Sequence, residues 1–409
     1  MKAVFYILAI TLCFTSAVFG NSIFSFDGLP NQNYGNDTYS YGMGDSGSGD
    51  LFRVNTNYTN PSLVASANKV IFSTAVSAGF VWYADENNNE YRADALDFPY
   101  FTFSFPLKKH RFGFAFNSFS SGNLENSRQS TWEDSEQNVF EFEEINRISS
   151  SLFKADLLYA FKNKYLNAGI SANFYFGHHI QYWKQDFEDS SITDAVIENE
   201  KKFKKPGYTL GISKKIGKFS FGTAYSSYTK LDGDKYYKYI FSPYTDTLGV
   251  TDYEIPARVS GGLTMKITDR IKLSTDLNYE LYENTDTFEF NTYKASFGLA
   301  YDPMSGFGKW FERIPLRCGG YYRELPFKVN NEKITEIAGT FGFSIPLKSK
   351  GKKLDFGIKL LQRGDVDVHG IQDKSAMFTI GITGFDIFGK RKKKTEHRDI
   401  PKADEVSNY

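Results

Sequence analysis

The feature that most constrains this chain is an alternation of period two, which begins near Asn68 and persists almost to the end. Phe101, Phe103 and Phe105 alternate with Thr102 and Ser104, and Phe112, Phe114 and Phe116 with Gly113, Ala115 and Asn117. The pattern returns in Ala168, Ile170, Ala172, Phe174 and Phe176, in Leu273, Thr275, Leu277, Tyr279 and Leu281, and in Phe378, Ile380 and Ile382. Successive side chains of a strand point to opposite faces, so each segment has one apolar and one polar face. The polar face is Gly, Ser, Thr, Asn, Asp and Lys, too small and too polar to fill a sandwich core. An aqueous lumen suits it.

Fourteen candidate strands follow, near residues 68–83, 96–107, 109–120, 146–162, 164–177, 206–216, 218–230, 255–267, 271–283, 290–302, 313–323, 334–347, 352–363 and 374–388. Tight turns such as Lys108-Lys109, Asn163-Lys164 and Gly217 alternate with longer polar loops such as 121–145 and 231–254. The expected fold is therefore all-β: a transmembrane antiparallel barrel of about 14 strands. An even strand number places both ends of the chain on the short-turn, periplasmic side. Residues 303–312 break the alternation, being too long for a short turn.

Composition removes the competing classes. Aromatic residues make up 17% of the 409 positions, with 39 Phe and 27 Tyr, although the mean hydropathy is −0.41. Helical membrane bundles need several apolar runs of roughly 18 residues or more, and the chain lacks them. Its 48 basic and 48 acidic residues leave no net charge, so no nucleic-acid partner is expected. The N-terminus reads as a signal peptide, residues 1–20: Lys2, an apolar stretch from Ala3 to Phe14, then small residues up to Gly20. Cleavage there removes Cys13 and leaves Cys318 without an internal disulfide partner. A soluble β-sandwich or propeller is the alternative. Closure favours the barrel, because in hydrocarbon every backbone polar group must be bonded and no edge strand can remain.

Register offers a local check. With Thr268, Asp269 and Arg270 as a turn, Ile267 faces Ile271, Met265 faces Leu273 and Val259 faces Tyr279 on the outside. Inside, Thr264 meets Ser274, Gly262 meets Asp276 and Arg258 meets Glu280. Lys266 opposite Lys272 is the misfit, tolerable where water reaches both.

Residues 21–67 show no such alternation and are too few to bury a core of their own. Inside a barrel they would form a plug. Gly42-Met43-Gly44-Asp45-Ser46-Gly47 is formally a GxGxxG, but no βαβ context surrounds it. Its glycines instead let backbone pack tightly in a confined space. Asn60 can cap and Pro61 suits the first position of one short helix running on through Ser62 and Leu63.

With a signal peptide, Gly42-Met43-Gly44 leading to Asn60-Pro61-Ser62-Leu63, and fourteen strands, the chain resembles the FadL-like outer-membrane transporters of long-chain fatty acids and aromatic hydrocarbons. Ile255-Pro256-Ala257-Arg258-Val259-Ser260-Gly261-Gly262-Leu263, with Asp269 to Tyr279, is similar to that family's proline-led strand, short turn and aspartate-bearing return strand. Ile314-Pro315-Leu316-Arg317-Cys318-Gly319-Gly320-Tyr321-Tyr322 resembles the strand that follows. Ser62 stands where the family's Asn-Pro-Ala plug motif has Ala. The resemblance implies a plug carrying Gly42, Gly44, Asn60 and Pro61. It further implies passive passage of a hydrophobic molecule from the outer loops, through the lumen, and sideways into the membrane. Such transport needs no catalyst and no cofactor.

By strand parity the inward charged residues include Lys154, Asp156, Arg258, Asp276, Glu280, Arg317, Asp355 and Lys359. A lattice of lumen ion pairs is the leading reading of each, with Arg258 and Arg317 as candidates for holding an anionic head group. No enzyme is indicated. His110, His178, His179, His369 and His397 form no HExxH, no GxSxG occurs, and no metal-ligand spacing is present. Asp85 to Glu90 and Asp232-Gly233-Asp234 are acidic but make no EF-hand, so no metal is expected. Phe388 is the candidate terminal aromatic for the outer-membrane barrel assembly machinery, followed by a basic tail, 389–409, containing Lys390-Arg391-Lys392-Lys393-Lys394. The organisation expected is thus signal peptide 1–20, plug 21–67, barrel 68–388 and periplasmic tail 389–409, in the outer membrane of a Gram-negative-type bacterium. Outer-membrane lipid and a hydrophobic small molecule are the partners. A barrel that binds or anchors secreted or surface partners, and a hydrophilic porin, remain the alternatives.

Overall fold

The computed structural model describes residues 22–25, 32–87, 89–133, 135, 137–189, 192–239, 242–250, 253–282, 290–303, 310–347 and 352–385. The expected leader and tail lie outside the described residues. Eighteen strands occur in this order: β1 (Ile71–Asp85), β2 (Glu90–Leu107), β3 (His110–Glu133), β4 (Val139–Phe161), β5 (Asn167–Phe187), β6 (Ala195–Ile216), β7 (Phe219–Ser226), β8 (Thr229–Leu231), β9 (Asp234–Tyr239), β10 (Ser242–Val250), β11 (Tyr253–Ile255), β12 (Ala257–Lys266), β13 (Ile271–Leu281), β14 (Thr292–Tyr301), β15 (Leu316–Val329), β16 (Glu332–Pro346), β17 (Lys353–Asp365) and β18 (Ile371–Phe385). Strands β1 to β7 and β12 to β18 pair antiparallel with their neighbours, and β1 pairs with β18. The result is a closed barrel of fourteen strands. Strands β8 to β11 belong to the long connection between β7 and β12, where β9 pairs with the far half of β6.

The anticipated register between β12 and β13 is found at every position: Arg258 opposite Glu280, Val259 opposite Tyr279, Gly262 opposite Asp276, Thr264 opposite Ser274 and Met265 opposite Leu273. Lys266 and Lys272 are also opposite, and each has a protein contact of its own. Lys272 is buried and pairs with Asp302 at 2.8 Å, while Lys266 lies 5.1 Å from the Phe52 ring.

Several strands outrun their expected ends. The polar stretch 121–145 is mostly strand: β3 and β4 stay paired out to Glu133 and Val139. Polar alternation gives no hydrophobic signal, yet the backbone ladder continues, held by cross-strand pairs such as Arg128 with Glu144 at 2.6 Å and Trp132 stacked on Phe140. β5 and β6 extend in the same way.

Outward positions carry Leu157, Ile170, Phe174, Leu210, Ile212, Phe221, Leu263, Leu277, Phe297, Phe341, Ile358 and Phe378, all exposed. In water such a continuous apolar belt would aggregate; a bilayer covers it. Among the described residues no helix is long and apolar enough to cross a membrane. Many inward positions are Gly, Ser, Thr and charged residues, with an apolar patch on β3 to β6 at Phe119, Leu152, Tyr175 and Phe203.

Candidate functional site

Residues 32–67 lie against the inward face of the barrel wall. Thr38 meets Gly381 of β18, Tyr41 meets Gly357 of β17, Gly42 meets Gly342 of β16, and Met43 meets Gly319 of β15 and Gly298 of β14. Ser48 then meets Gly262 of β12 and Gly222 of β7, Asn60 meets Gly211 of β6, and Pro61 meets Gly169 of β5. Nine strands thus present one inward glycine each, where a Cβ would overlap or crowd the segment. On β13 the place is taken by Asp276, which accepts the amides of Gly47 at 3.0 Å and Ser48 at 2.8 Å. Gly44 has φ of +65° and leaves no room for a Cβ against Gly320, so both space and backbone require glycine there.

Asn60 does cap a short 3-10 helix, Pro61–Ser66. Its Oδ1 accepts from the Ser62 amide at 3.1 Å and the Ser62 hydroxyl at 2.7 Å, while its Nδ2 donates to the carbonyls of Ser48 and Ile212. Ser62 therefore adds a bond that an alanine in this position would lack. Tyr58, Val64 and Ala65 then pack on Ala115, Leu158 and Ala160 of β3 and β4, and Arg111 of β3 donates to the Ala67 carbonyl at 2.5 Å.

Charge fixes what glycine accommodates. Asp45 accepts from Lys294 at 2.7 Å and Lys359 at 2.9 Å. Burial opposes ionisation of this carboxyl, but the two lysines outweigh it and hold the pKa down at about 2. Asp37, likewise buried, is held below the ordinary carboxylate range by Arg53, with further bonds from Thr56 and the Ser40 amide.

All eight charged residues assigned inward by parity are in contact with other groups. Arg317 is fully buried, donates to Asp355 at 3.2 Å and Ser344 at 2.7 Å, and lies 4.5 Å from the Tyr39 ring. Arg258 is buried 3.6 Å from the Tyr34 ring. Glu280 accepts from Tyr34 and from Arg323, and Lys154 pairs with Asp156 at 3.1 Å. Sequence reasoning missed Lys294, Arg323, Glu336, Arg363 and Asp373. The same parity would have found the first four, whereas the pairing of Arg363 with both Glu336 at 2.5 Å and Asp373 at 3.1 Å depends on β16, β17 and β18 being neighbours. Among the described residues no cluster of metal-ligating groups occurs.

One seam in the wall is short. β2 and β3 pair only from Phe101–Phe116 down to Leu107–His110, although β2 continues to Glu90 and β3 to Glu133. Register shifts beside Asp97–Pro99 and at Phe119 part the strands, and Pro99 has no N–H to offer. Residues Gln32 and Asn33 bridge the opening. The Asn33 amide donates to Phe119 O at 2.6 Å, Asn33 Nδ2 donates to Pro99 O at 3.2 Å, and Asn117 Nδ2 donates to Asn33 O at 2.6 Å. Gln32 forms a bridge to Ser120. Phe119 itself turns inward onto Leu152, Tyr175, Phe203, Leu231 and Ile255, with Tyr34 beside it.

Next to this seam is a cavity of about 190 Å³ whose lining includes Asn33, Asp45, Asp97, Lys294, Arg323, Glu336, Lys359 and Arg363. It is polar. The first described residues lie at the long-loop end, with the Ser22 hydroxyl on Asp373 at 2.5 Å and Phe24 against Leu325 and Ile334.

Fourteen antiparallel strands closed into a barrel with an apolar exterior define an outer-membrane-type barrel of FadL architecture. The fold is similar to that of a Pseudomonas aeruginosa FadL homologue, with a TM-score of 0.59 at 14% identity over 88% of this chain and 99% of that one. It is similar also to the toluene transporters TodX of P. putida (0.55, 14%, 86% and 98%) and TbuX of Ralstonia pickettii (0.55, 12%, 86% and 99%). The chain belongs to the BamG family, whose model matches residues 1–393. No curated protein sequence matches it.

Proposed function

We propose that this protein is an outer-membrane barrel of a Gram-negative-type envelope that admits hydrophobic small molecules, long-chain fatty acids or hydrocarbons, and releases them sideways into the bilayer. In this reading the short turns and the basic C-terminal tail are periplasmic, the first 20 residues are a cleaved leader, and residues 21–67 are the plug. The carrying observation is the β2–β3 seam, a break in the strand pairing bridged, among the described residues, by Gln32 and Asn33 and flanked on the inside by the apolar cluster around Phe119. Solved barrels of similar fold are described as toluene transporters and monoaromatic hydrocarbon channels, which supports the same reading. Arg317 and Arg258 serve the lumen lattice in this scheme, since each is buried against the segment or the wall. The test is flux of a fluorescent fatty acid and of toluene into proteoliposomes, with the full mature chain and with residues 21–66 deleted. Flux equal to that of empty liposomes in both would overturn the reading.

A second reading is favoured by the seven charged side chains that line the cavity beside the seam, Asp45, Asp97, Lys294, Arg323, Glu336, Lys359 and Arg363, next to which an apolar molecule would be poorly placed. A barrel held shut by this lattice would act as a binding partner within the envelope, and the family name BamG fits work alongside the outer-membrane assembly machinery. Pull-down from detergent-solubilised envelopes, with the flux assay run in parallel, separates the two.

A further inference from the structure

At the short-turn end, a cleft of about 220 Å³ opens between the β4–β5 turn, the end of β6 and the lumen segment. Lys162, Lys164, Lys214 and Lys215 line it, together with Leu51, Tyr165 and Leu166, and among the described residues no carboxylate does. Lys162 donates to Asn68 at 2.9 Å, and Lys215 lies 4.5 Å from the Phe52 ring. Burial and the nearby Arg111 both pull the Lys162 ammonium below the ordinary lysine range, as expected where cations crowd without counter-charge. Four lysines lining one cleft, with no carboxylate among its described lining residues, make a surface complementary to an anion.

The cleft is not isolated. Leu166, Ser213 and Lys214 also line a larger apolar groove of about 640 Å³ on the outer wall, which runs over Ile212, Phe221, Gly261, Leu263 and Leu277. Its floor is open at Gly261, where a Cβ would meet nothing within 4 Å. Lys214 alternates outward with Ile212 and Ile216, all three exposed, so its ammonium sits at the edge of the apolar belt. Tyr165, 70% exposed in the adjoining turn, has the amphipathic character of an interfacial residue. A cationic cleft continuous with an apolar groove fits a molecule with an anionic head and a hydrocarbon tail lying along the barrel exterior.

We infer that this surface is a binding site for an anionic phospholipid of the leaflet facing the short turns, its phosphate in the lysine cleft and an acyl chain in the groove over Gly261. The site is independent of what passes through the lumen, so it stands or falls apart from the transport reading. The occupant is a membrane lipid and not an acidic protein segment, because the groove it shares lies on the lipid-facing wall, where a soluble chain has no access.

The experiment is native mass spectrometry of the full mature chain in detergent, titrated with phosphatidylglycerol or phosphatidylcholine. Phosphatidylglycerol is expected to give discrete adducts. Lys164→Glu with Lys214→Glu should weaken them by about fivefold or more per charge removed. Lys108→Glu with Lys109→Glu, the same charge change at another turn, should leave them within about twofold of the parent. Gly261→Leu fills the groove without touching the lysines and should weaken long-chain phosphatidylglycerol while sparing the dihexanoyl form. Retained heat-modifiable migration confirms that each variant is folded. Equal loss in the Lys108/Lys109 control, equal binding of phosphatidylcholine, full displacement by inorganic phosphate, or capture of polyglutamate at the same lysines without lipid binding would each overturn the assignment.

Discussion

Asp45 and Lys359 lie 314 positions apart in sequence and 2.9 Å apart across the lumen, where Lys294 completes the cluster at 2.7 Å from the same carboxylate. The pair joins the N-terminal segment to β17 near the far end of the chain, so it forms only once the barrel has closed around the segment. Removing the carboxylate leaves two buried ammonium groups facing each other. Asp45→Asn is expected to cost about 3–5 kcal/mol of segment docking, the usual effect of breaking one partner out of a buried pair. Hydrogen exchange at residues 38–49 should accelerate while β12 to β18 remain protected; unchanged protection at those residues would refute it.

The same cluster sets a pH dependence. The Asp45 carboxyl titrates near 3.9 in an unfolded chain and at about 2 when docked. Its contribution is therefore fully present above pH ~4 and disappears as the pH falls towards ~2. Asp37, held low beside Arg53, acts in the same direction. Segment protection should be flat from pH 7 to about 5 and drop below about 4. A loss beginning near pH 6 would point to a different group.

The glycine seat gives a steric test. A Cβ on Gly319 would stand 2.6 Å from the Gly44 amide nitrogen and closer still to Met43. Gly319→Ala should displace the segment and cost about 1–3 kcal/mol, the range for overpacking. Gly339→Ala on the neighbouring β16, where a Cβ meets nothing within 4 Å, is the control and should be within about 0.5 kcal/mol of the parent. Thermal melts followed alongside exchange at residues 42–45 measure both.

At the seam, Asn33→Ala removes the bond to Pro99 and the acceptor for the Gly35 amide at 2.9 Å. About 1–3 kcal/mol of local stability should be lost, seen as faster exchange at residues 117–121 and 94–99. Under the transport reading, flux of a hydrophobic probe should rise in this variant. Faster exchange with unchanged flux would leave the seam a structural stitch and favour the partner-binding reading.

Much of the barrel was legible in the sequence because a strand's faces are set locally. Leu277 and Tyr279 face outward, and Asp276 inward, whatever their neighbours do, and the turn at Thr268–Arg270 fixes register over the whole hairpin. The polar extensions of β3 to β6 were not legible, since above the apolar belt both faces meet water and alternation no longer distinguishes strand from loop.

The charged lumen divides in the same way. Parity alone turned Arg258, Arg317 and Lys359 inward. Only the closed barrel decided that Arg317 would be sealed by Asp355 and Ser344, and that Lys359 would meet Asp45 from the other end of the chain. The sequence by itself determined an alternating, membrane-facing all-β chain with a glycine-rich N-terminal segment. Tertiary closure decided where that segment runs, because its seat is assembled from single glycines on nine separate strands. Closure likewise decided that the β2–β3 seam is completed by Asn33 and not by the strands themselves, since that contact spans more than 60 residues of chain to Pro99 and exists only after both strands have taken their places.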